Sequence, residues 1–438
     1  MFGRSVREER RRGLVAVVSG VALLAISLVA VAHASSAGRL DRSFGDHGQF
    51  VLQRTFANAS GLDIGQSGRI VFAGSHRNEF IVGRLRADGR LDRAFADEGV
   101  ATVPAADAEA DTTSVAIDRR GGIVLAGMAC TDDESACDIS VYRLTRTGQL
   151  NRRFGDHGTK TLAFPKSFNT DPAVALAPRH RIVIEASSCP NGGVFQRQCD
   201  VGVARLQPDG SLDRTFGHHG TSVVFFKRKA NNCGLAFGNE FENVGAMALD
   251  SRHRVVVLEA CGGGRNAALA RLKPNGSLDR SFGHRGRVYK DVRMEAAIAL
   301  TIDSHDRIDV AGPKPKGFGV ARFRPSGKLD SGFGKKGNAA VTFASDPRGL
   351  DAPNAVDLDS RGRIVVGGRL GFRGEDIAGF ARLKPKGGID RRFGHRGGVI
   401  QKRLNYATAI AVDSRNRIAA VGEKYSDVGH MKLVRLLG

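Results

Sequence analysis

The chain has 438 residues and a formal charge of +21, with 56 Gly, 24 Phe, 4 Tyr and no Trp. Glycine well above the usual ~7% favours short strands and tight turns over long helices. The charge points to an anionic partner or surface. The missing Trp and scarce Tyr argue against a sugar-binding lectin and against a base-stacking nucleic-acid platform, both of which rest on flat aromatic faces.

The first element, residues 1–34, is a targeting segment. A basic stretch, MFGRSVREERRR, precedes an apolar run at 13–32, and Ala32-His33-Ala34 has the small-x-small form of a cleavage site. It reads as a secretory signal peptide cut after Ala34. The rival reading is an uncleaved membrane anchor, because about twenty apolar residues also span a bilayer. Cleavage would remove five Arg and two Glu and leave a charge of +18.

From residue 40 onward the chain repeats itself. LDRSFGDHG at 40–48 has counterparts opening at Leu91, Leu150, Leu212, Leu278, Leu329 and Ile389, spaced 51 to 66 residues apart. Between them recur a turn and strand such as LDSRGRIVVGG, then an alternating run such as VGVARL with its PDG-type turn. Short Val- and Ile-rich runs bounded by Gly, Asp and Pro read as strands, four per repeat. Four strands repeated seven times predict an all-β fold, a seven-bladed β-propeller of four-stranded antiparallel blades over residues 35–438. The first copy supplies only a last strand and the final copy stops after three. The N-terminal strand is therefore expected to join the last blade and close the ring without a sheet edge.

The combination of (P)DG-x-LDxxFGxxG, D-x-x-G-R-I-V-x-x-G and A-R-L/F resembles the delta-60 repeat, a bacterial exported β-propeller repeat, across roughly 40–438. The resemblance implies an exported propeller and no particular activity. Ala96 in place of Gly and Asn151 in place of Asp depart from the pattern.

A residue required at seven equivalent places is a building requirement, whereas a catalytic residue is needed once. Phe44, Phe95, Phe154, Phe216, Phe282, Phe333 and Phe393 are expected to plug between neighbouring blades. The Asp after Leu is expected to hydrogen-bond its own turn. His47, His157, His218, His219, His284 and His395 would sit on separate outer connections, too far apart to share a metal ion. Asp118, Asp250, Asp303, Asp359 and Asp413 recur at the first turns and read as turn chemistry.

Function is expected on the variable loops, since a rigid scaffold presents its binding residues there. The six cysteines fall on or beside them: Cys130 with Cys137 and Cys189 with Cys199 would staple two hairpins, and Cys233 would tie a long link to Cys261. An even count fits an exported, oxidised protein. An acidic group, Asp107, Glu109, Asp111, Asp132, Asp133 and Glu134, is either a solvated edge or a Ca²⁺ site, and no other cofactor is expected.

Two series of arginines, Arg42, Arg93, Arg153, Arg214, Arg280 and Arg392, and Arg119, Arg181, Arg254, Arg307, Arg363 and Arg417, predict a cationic ring on the constant face. The expected role is that of an exported, monomeric, non-enzymatic binding or structural module at the cell envelope. Its partner would be an anionic polymer or a protein; nucleic acid is disfavoured by export, and a membrane would be met only through an uncleaved N-terminus. The alternative is a hydrolase or lyase working in the central channel. No HExxH, GxSxG or carboxylate pair supports it in the sequence.

Overall fold

The computed structural model describes residues 36–55, 58–105, 109–131, 136–165, 168–189, 199–226, 246–261, 266–343, 351–372, 374–424 and 430–438. The targeting segment 1–34 lies outside them. Among the described residues there is no α-helix, only one 3-10 turn at Pro178–His180. No helix among them is long and apolar enough to cross a membrane.

Val, Ile, Ala and Gly runs form 28 strands that fall in chain order into fours. Strand β1 (Gln49–Thr55) comes first, followed by β2 (Asn58–Ile64), β3 (Ile70–His76), β4 (Glu79–Leu85) and β5 (Val100–Pro104), which pair antiparallel in that order as set 1. Sets 2 to 6 follow at 109–162, 168–224, 246–291, 299–342 and 352–401. Set 7 begins at residue 406 and has three strands of its own, the last being Met431 and its neighbours, His430–Leu436; β1 pairs antiparallel with that strand as the fourth. Sets 2 and 3 are joined by one strand pairing, Phe168 opposite Cys137, and sets 6 and 7 by one, Arg369 opposite Tyr406.

The middle strands do not alternate in burial; β3 is buried at six successive residues. Both of its faces are covered, because each apolar cluster lies between two successive sets. Phe80 and Val82 of set 1 pack with Ile123 and Leu125 of set 2. Val183 and Val203 of set 3 pack with Val255 and Val257 of set 4. The first strands of the sets neighbour one another in order, and the first strand of set 7 neighbours β2.

The turns are tied in the same order. The amide of Gly45 donates to the carbonyl of Asp88, Ala96 to Thr147, Gly155 to Asp209, Gly217 to Asn275, Gly283 to Ser326, Gly334 to Lys386, and Gly394 to Ala37. Each bond runs from one set to the next, and the last reaches the segment ahead of β1.

These donors need a left-handed backbone. Gly45 has φ 55°, and a Cβ there would stand 2.1 Å from the carbonyl oxygen of Gln49. Ala96 holds φ 46° at the equivalent place, where an L side chain is strained by about 1 kcal/mol. Ala96→Gly is therefore expected to stabilise the protein by about 1 kcal/mol, read as a raised urea midpoint with unchanged slope. An unchanged or lower midpoint contradicts the strain.

Candidate functional site

The constant face is built around the arginine of each A-R-L/F strand. Arg84, Arg205, Arg271, Arg382 and Arg435 each place Nε 2.8–3.0 Å from the Asp that follows Leu in the repeat: Asp92, Asp213, Asp279, Asp390 and Asp41. The guanidinium carbons of these five and of Arg322 lie 4.4–4.8 Å from the ring centroids of Phe95, Phe216, Phe282, Phe393, Phe44 and Phe333. Nη1 then reaches the next set: Arg435 donates to the carbonyl of Ala87 at 2.6 Å and Arg271 to that of Pro325 at 2.5 Å. Arg84 reaches Arg146, Arg205 reaches Pro274 and Arg322 reaches Pro385 in the same way.

The Asp also ties its own turn, as expected. Asp41 accepts from the amide and hydroxyl of Ser43, Asp213 from those of Thr215, and Asp279 from those of Ser281. Burial raises these carboxyls, but the hydrogen bonds and the Arg charge outweigh it and hold them below the ordinary carboxylate value. The Phe residues are buried as expected.

Two sets depart from this plan. In set 2, Gly122 stands where the others carry a first-turn Arg and Asn151 where they carry Asp, so one charge of each sign is missing together. Arg143 pairs instead with Asp118, whose other oxygen accepts from the amides of Arg120 and Gly122. In set 5, Asp309 replaces a strand valine and binds Arg322 through both carboxylate oxygens at 2.6–2.7 Å, both residues being fully buried. Asp118→Asn is expected to cost about 3 kcal/mol by leaving Arg143 unpaired. Adding Asn151→Asp is expected to restore most of it, because that residue pairs the arginine elsewhere. Denaturation of the single and double variants checks this, and additive losses would refute the exchange.

The cationic ring needs correction. Arg181, Arg254, Arg307, Arg363 and Arg417 are not free: they pair with Asp213, Asp250, Asp303, Asp359 and Asp413. Such a residue lies directly before the second strand, where set 1 has Arg69 and set 2 has Gly122, so Arg119 is exposed and outside the series. Arg42, Arg93, Arg153, Arg214, Arg280 and Arg392 are exposed, with no side-chain ion pair among the described residues. The two central residues of each FGxxG turn are also exposed. They are Asp46-His47, Asp97-Glu98 and Asp156-His157 in the turns of sets 7, 1 and 2. They are His218-His219, His284-Arg285, Lys335-Lys336 and His395-Arg396 in sets 3 to 6. The FGxxG turns are thus uneven, with acidic residues in sets 7, 1 and 2 and only Lys, Arg and His in sets 3 to 6.

The variable loops are placed less completely. Disulfides join Cys130 to Cys137 and Cys189 to Cys199, closing two hairpins as expected and suiting an oxidising, extracytoplasmic environment. The proposed tie from Cys233 to Cys261 lies outside the described side chains. So does the acidic group: Asp107, Asp132, Asp133 and Glu134 are not described. The backbones of Glu109 and Asp111 lie opposite Cys130 and Met128. The six motif histidines are exposed, and among the described residues no three His, Cys, Asp or Glu converge on a metal site.

The structure does contain carboxylates that the motif reading missed. Asp63 and Asp357 occupy the same position in the first strands of sets 1 and 6, where the other sets carry Ala or Thr. Each accepts from its own following amide and from the next set: Asp63 from Ile117 at 2.7 Å, Asp357 from Val412 at 2.8 Å. Burial raises both, and the charge of Asp63 adds to the effect on Asp357, which is pushed up to about 6. Glu185 in set 3 and Glu259 in set 4 are both buried, at positions held mostly by Ala and Gly elsewhere. Both Glu185 oxygens are buried without a hydrogen-bond partner, and burial, then the charges of Glu259 and Asp171, raise its pKa well above the ordinary value. One-off acids in aligned repeats were the signal available in the sequence.

Asp357 releases its proton near 3.8 when unfolded and near 6 when folded. Its contribution is therefore fully present below about pH 4 and is lost as pH rises through 6, a fall on the order of 3 kcal/mol. Urea midpoints between pH 4 and 7 are expected to show a shallower fall in Asp357→Asn than in the wild type. Parallel profiles would refute the shift.

A family model described as a domain of unknown function (DUF5122) β-propeller matches residues 192–216 and 259–282. These stretches are β-propeller repeats. No curated protein sequence matches the chain. Among solved structures, the fold is similar to a catalytically inactive H270A virginiamycin B lyase from Staphylococcus aureus with quinupristin. That likeness has 12% identity and a TM-score of 0.49, over 88% of this chain and 98% of that one. It is also similar to the WD40 β-propeller domain of Doa1, at 9% identity and TM-score 0.45 over 88% and 95%. A third similar structure is the polysaccharide lyase Uly1, at 10% identity and TM-score 0.45 over 90% and 92%.

Proposed function

We propose that residues 35–438 form a closed, seven-bladed propeller of delta-60 type, exported as a monomer, that binds an anionic polymer of the cell envelope without catalysing a reaction on it. Closure is supported by the unbroken order of the turn hydrogen bonds, from Gly45 round to the Gly394 amide on Ala37, and by β1 as fourth strand of the last blade. The observation carrying the function is the division of the charged side chains. The first-turn and strand arginines are consumed by buried and half-buried Asp pairs, whereas exposed arginines remain around the LDxxFG segments and the FGxxG turns of blades 3 to 6 carry Lys, Arg and His with no acidic residue. A field of one sign over a rigid surface concentrates a flexible polyanion and weakens with salt.

The test is binding of poly(glycerol phosphate), anionic vesicles and DNA across a salt series. Replacing Arg285, Lys335 and Lys336 by Gln is expected to weaken polymer binding about tenfold at low salt, against less than about threefold for Arg42, Arg93 and Arg153. Equal losses, or equal binding of all three polyanions that vanishes at physiological salt, would leave only a generic field.

A hydrolase or lyase in the central channel is the second reading, and Asp63 with Asp357 is the observation favouring it. Carboxyls raised toward neutrality suit general acid–base work. It requires that Asp357→Asn abolish turnover of an envelope polysaccharide while the variant remains folded.

A further inference from the structure

One buried arginine, Arg382, has a buried Nη1 left without a partner. In five others Nη1 donates to a backbone carbonyl of the next blade's turn. At the junction of blades 6 and 7 the corresponding turn is supplied by the segment ahead of β1. There the Gly394 amide finds Ala37, but Nη1 of Arg382 is buried with no hydrogen-bond partner. The Arg382 side chain is only 1% exposed, and its Nε is held by Asp390. Burial, and then the charge of Arg363, lower its pKa against the opposing charges of Asp390 and Asp359.

The same arginine lines a cavity of about 850 Å³ together with Arg361, Arg363, Lys384, Arg391 and Arg392. Asp390 is the single side-chain carboxylate among the residues around it, with Gly438 also in the lining, and it is shared by Arg382 and Arg363. Arg361, Lys384, Arg391 and Arg392 are exposed. A buried guanidinium donor without a partner, beside four exposed cations, forms a charge arrangement suited to a compact, multiply charged oxyanion. Guanidinium groups bind the oxygens of phosphate in pairs and fix its orientation.

We propose that this cavity is a phosphate subsite: Arg382 Nη1, Arg361 and Lys384 grip one phosphate group of the bound polymer at the end of the basic arc. The proposal rests on the polymer-binding reading for the source of the phosphate, and on the cavity alone for the phosphate itself.

The experiment uses the purified full chain with inorganic phosphate at fixed ionic strength, followed by calorimetric titration and by melting temperature. A saturable response is expected in the wild type. Arg361→Gln with Lys384→Gln is expected to weaken it at least about tenfold, since two charge-assisted contacts are removed. Arg42→Gln with Arg93→Gln takes the same charge from exposed turn positions of blades 7 and 1 and is expected to change it less than about twofold. All four positions are exposed, so folding is not at stake. No saturable response, or equal loss in both double variants, overturns the subsite. Poly(glycerol phosphate) is expected to compete with inorganic phosphate. If phosphatidylglycerol vesicles compete and the polymer does not, the subsite stands but the polymer reading fails, whereas polymer binding without any phosphate response sinks the subsite alone.

Discussion

Each buried A-R-L/F arginine is a guanidinium taken out of water, which costs several kcal/mol unless every face of it is matched. The matching comes from separate pieces of chain. The carboxylate belongs to the LD turn of the following strand, the flat face rests on the Phe of that turn, and the remaining N–H group reaches the carbonyl of the next blade. None of these partners is in place before strand, turn and neighbouring blade have assembled. The arginine therefore couples three levels of structure at once, and leaving it half satisfied is worse than omitting it. That is the physical reason the same tripeptide, turn and ring recur at successive junctions.

The exceptions follow the same rule. Where set 2 lacks the LD carboxylate, it also lacks the first-turn arginine that would have shared it, and Arg143 turns to Asp118. Where Arg322 draws on Asp309 within the sheet, Asp330 is released to Arg324 at 3.3 Å. In set 2 one charge of each sign is lost together, and in every set each of these arginines keeps a carboxylate partner although individual positions change. Glu185 does not obey this rule: it is buried, raised in pKa and without a hydrogen-bond partner, in a place where other blades carry a small apolar residue. Such a group persists most cheaply as the neutral acid.

Much of the architecture was legible because repetition substitutes for an alignment. Seven copies fixed the strand count, placed the Phe plugs and turn Asp, and explained the out-of-phase start through β1. The role of the strand arginine was not legible, since A-R-L reads as an alternating strand and its partners lie on a different turn and a different blade. The first-turn arginines looked free because the sequence shows the Asp four residues earlier but not that the tight turn folds its carboxylate back onto the guanidinium. Asp63, Asp357, Glu185 and Glu259 were visible only as deviations from their own repeat. A reading tuned to what recurs passes over them.

What is left after the junctions have been satisfied defines the surface. A net charge of +21 is a property of composition, but the part able to meet a partner is the part the fold does not consume. That remainder is uneven, acidic or mixed at the FGxxG turns of blades 7, 1 and 2 and basic over blades 3 to 6. Rigid blades hold these turns at fixed intervals, so the field has a direction as well as a sign. A diffuse field attracts any polyanion and decays over a Debye length, about 8 Å at physiological salt. Selectivity needs a place where an anion replaces a missing protein contact, and the orphan donor of Arg382 lies beside the cavity that the segment ahead of β1 helps to line.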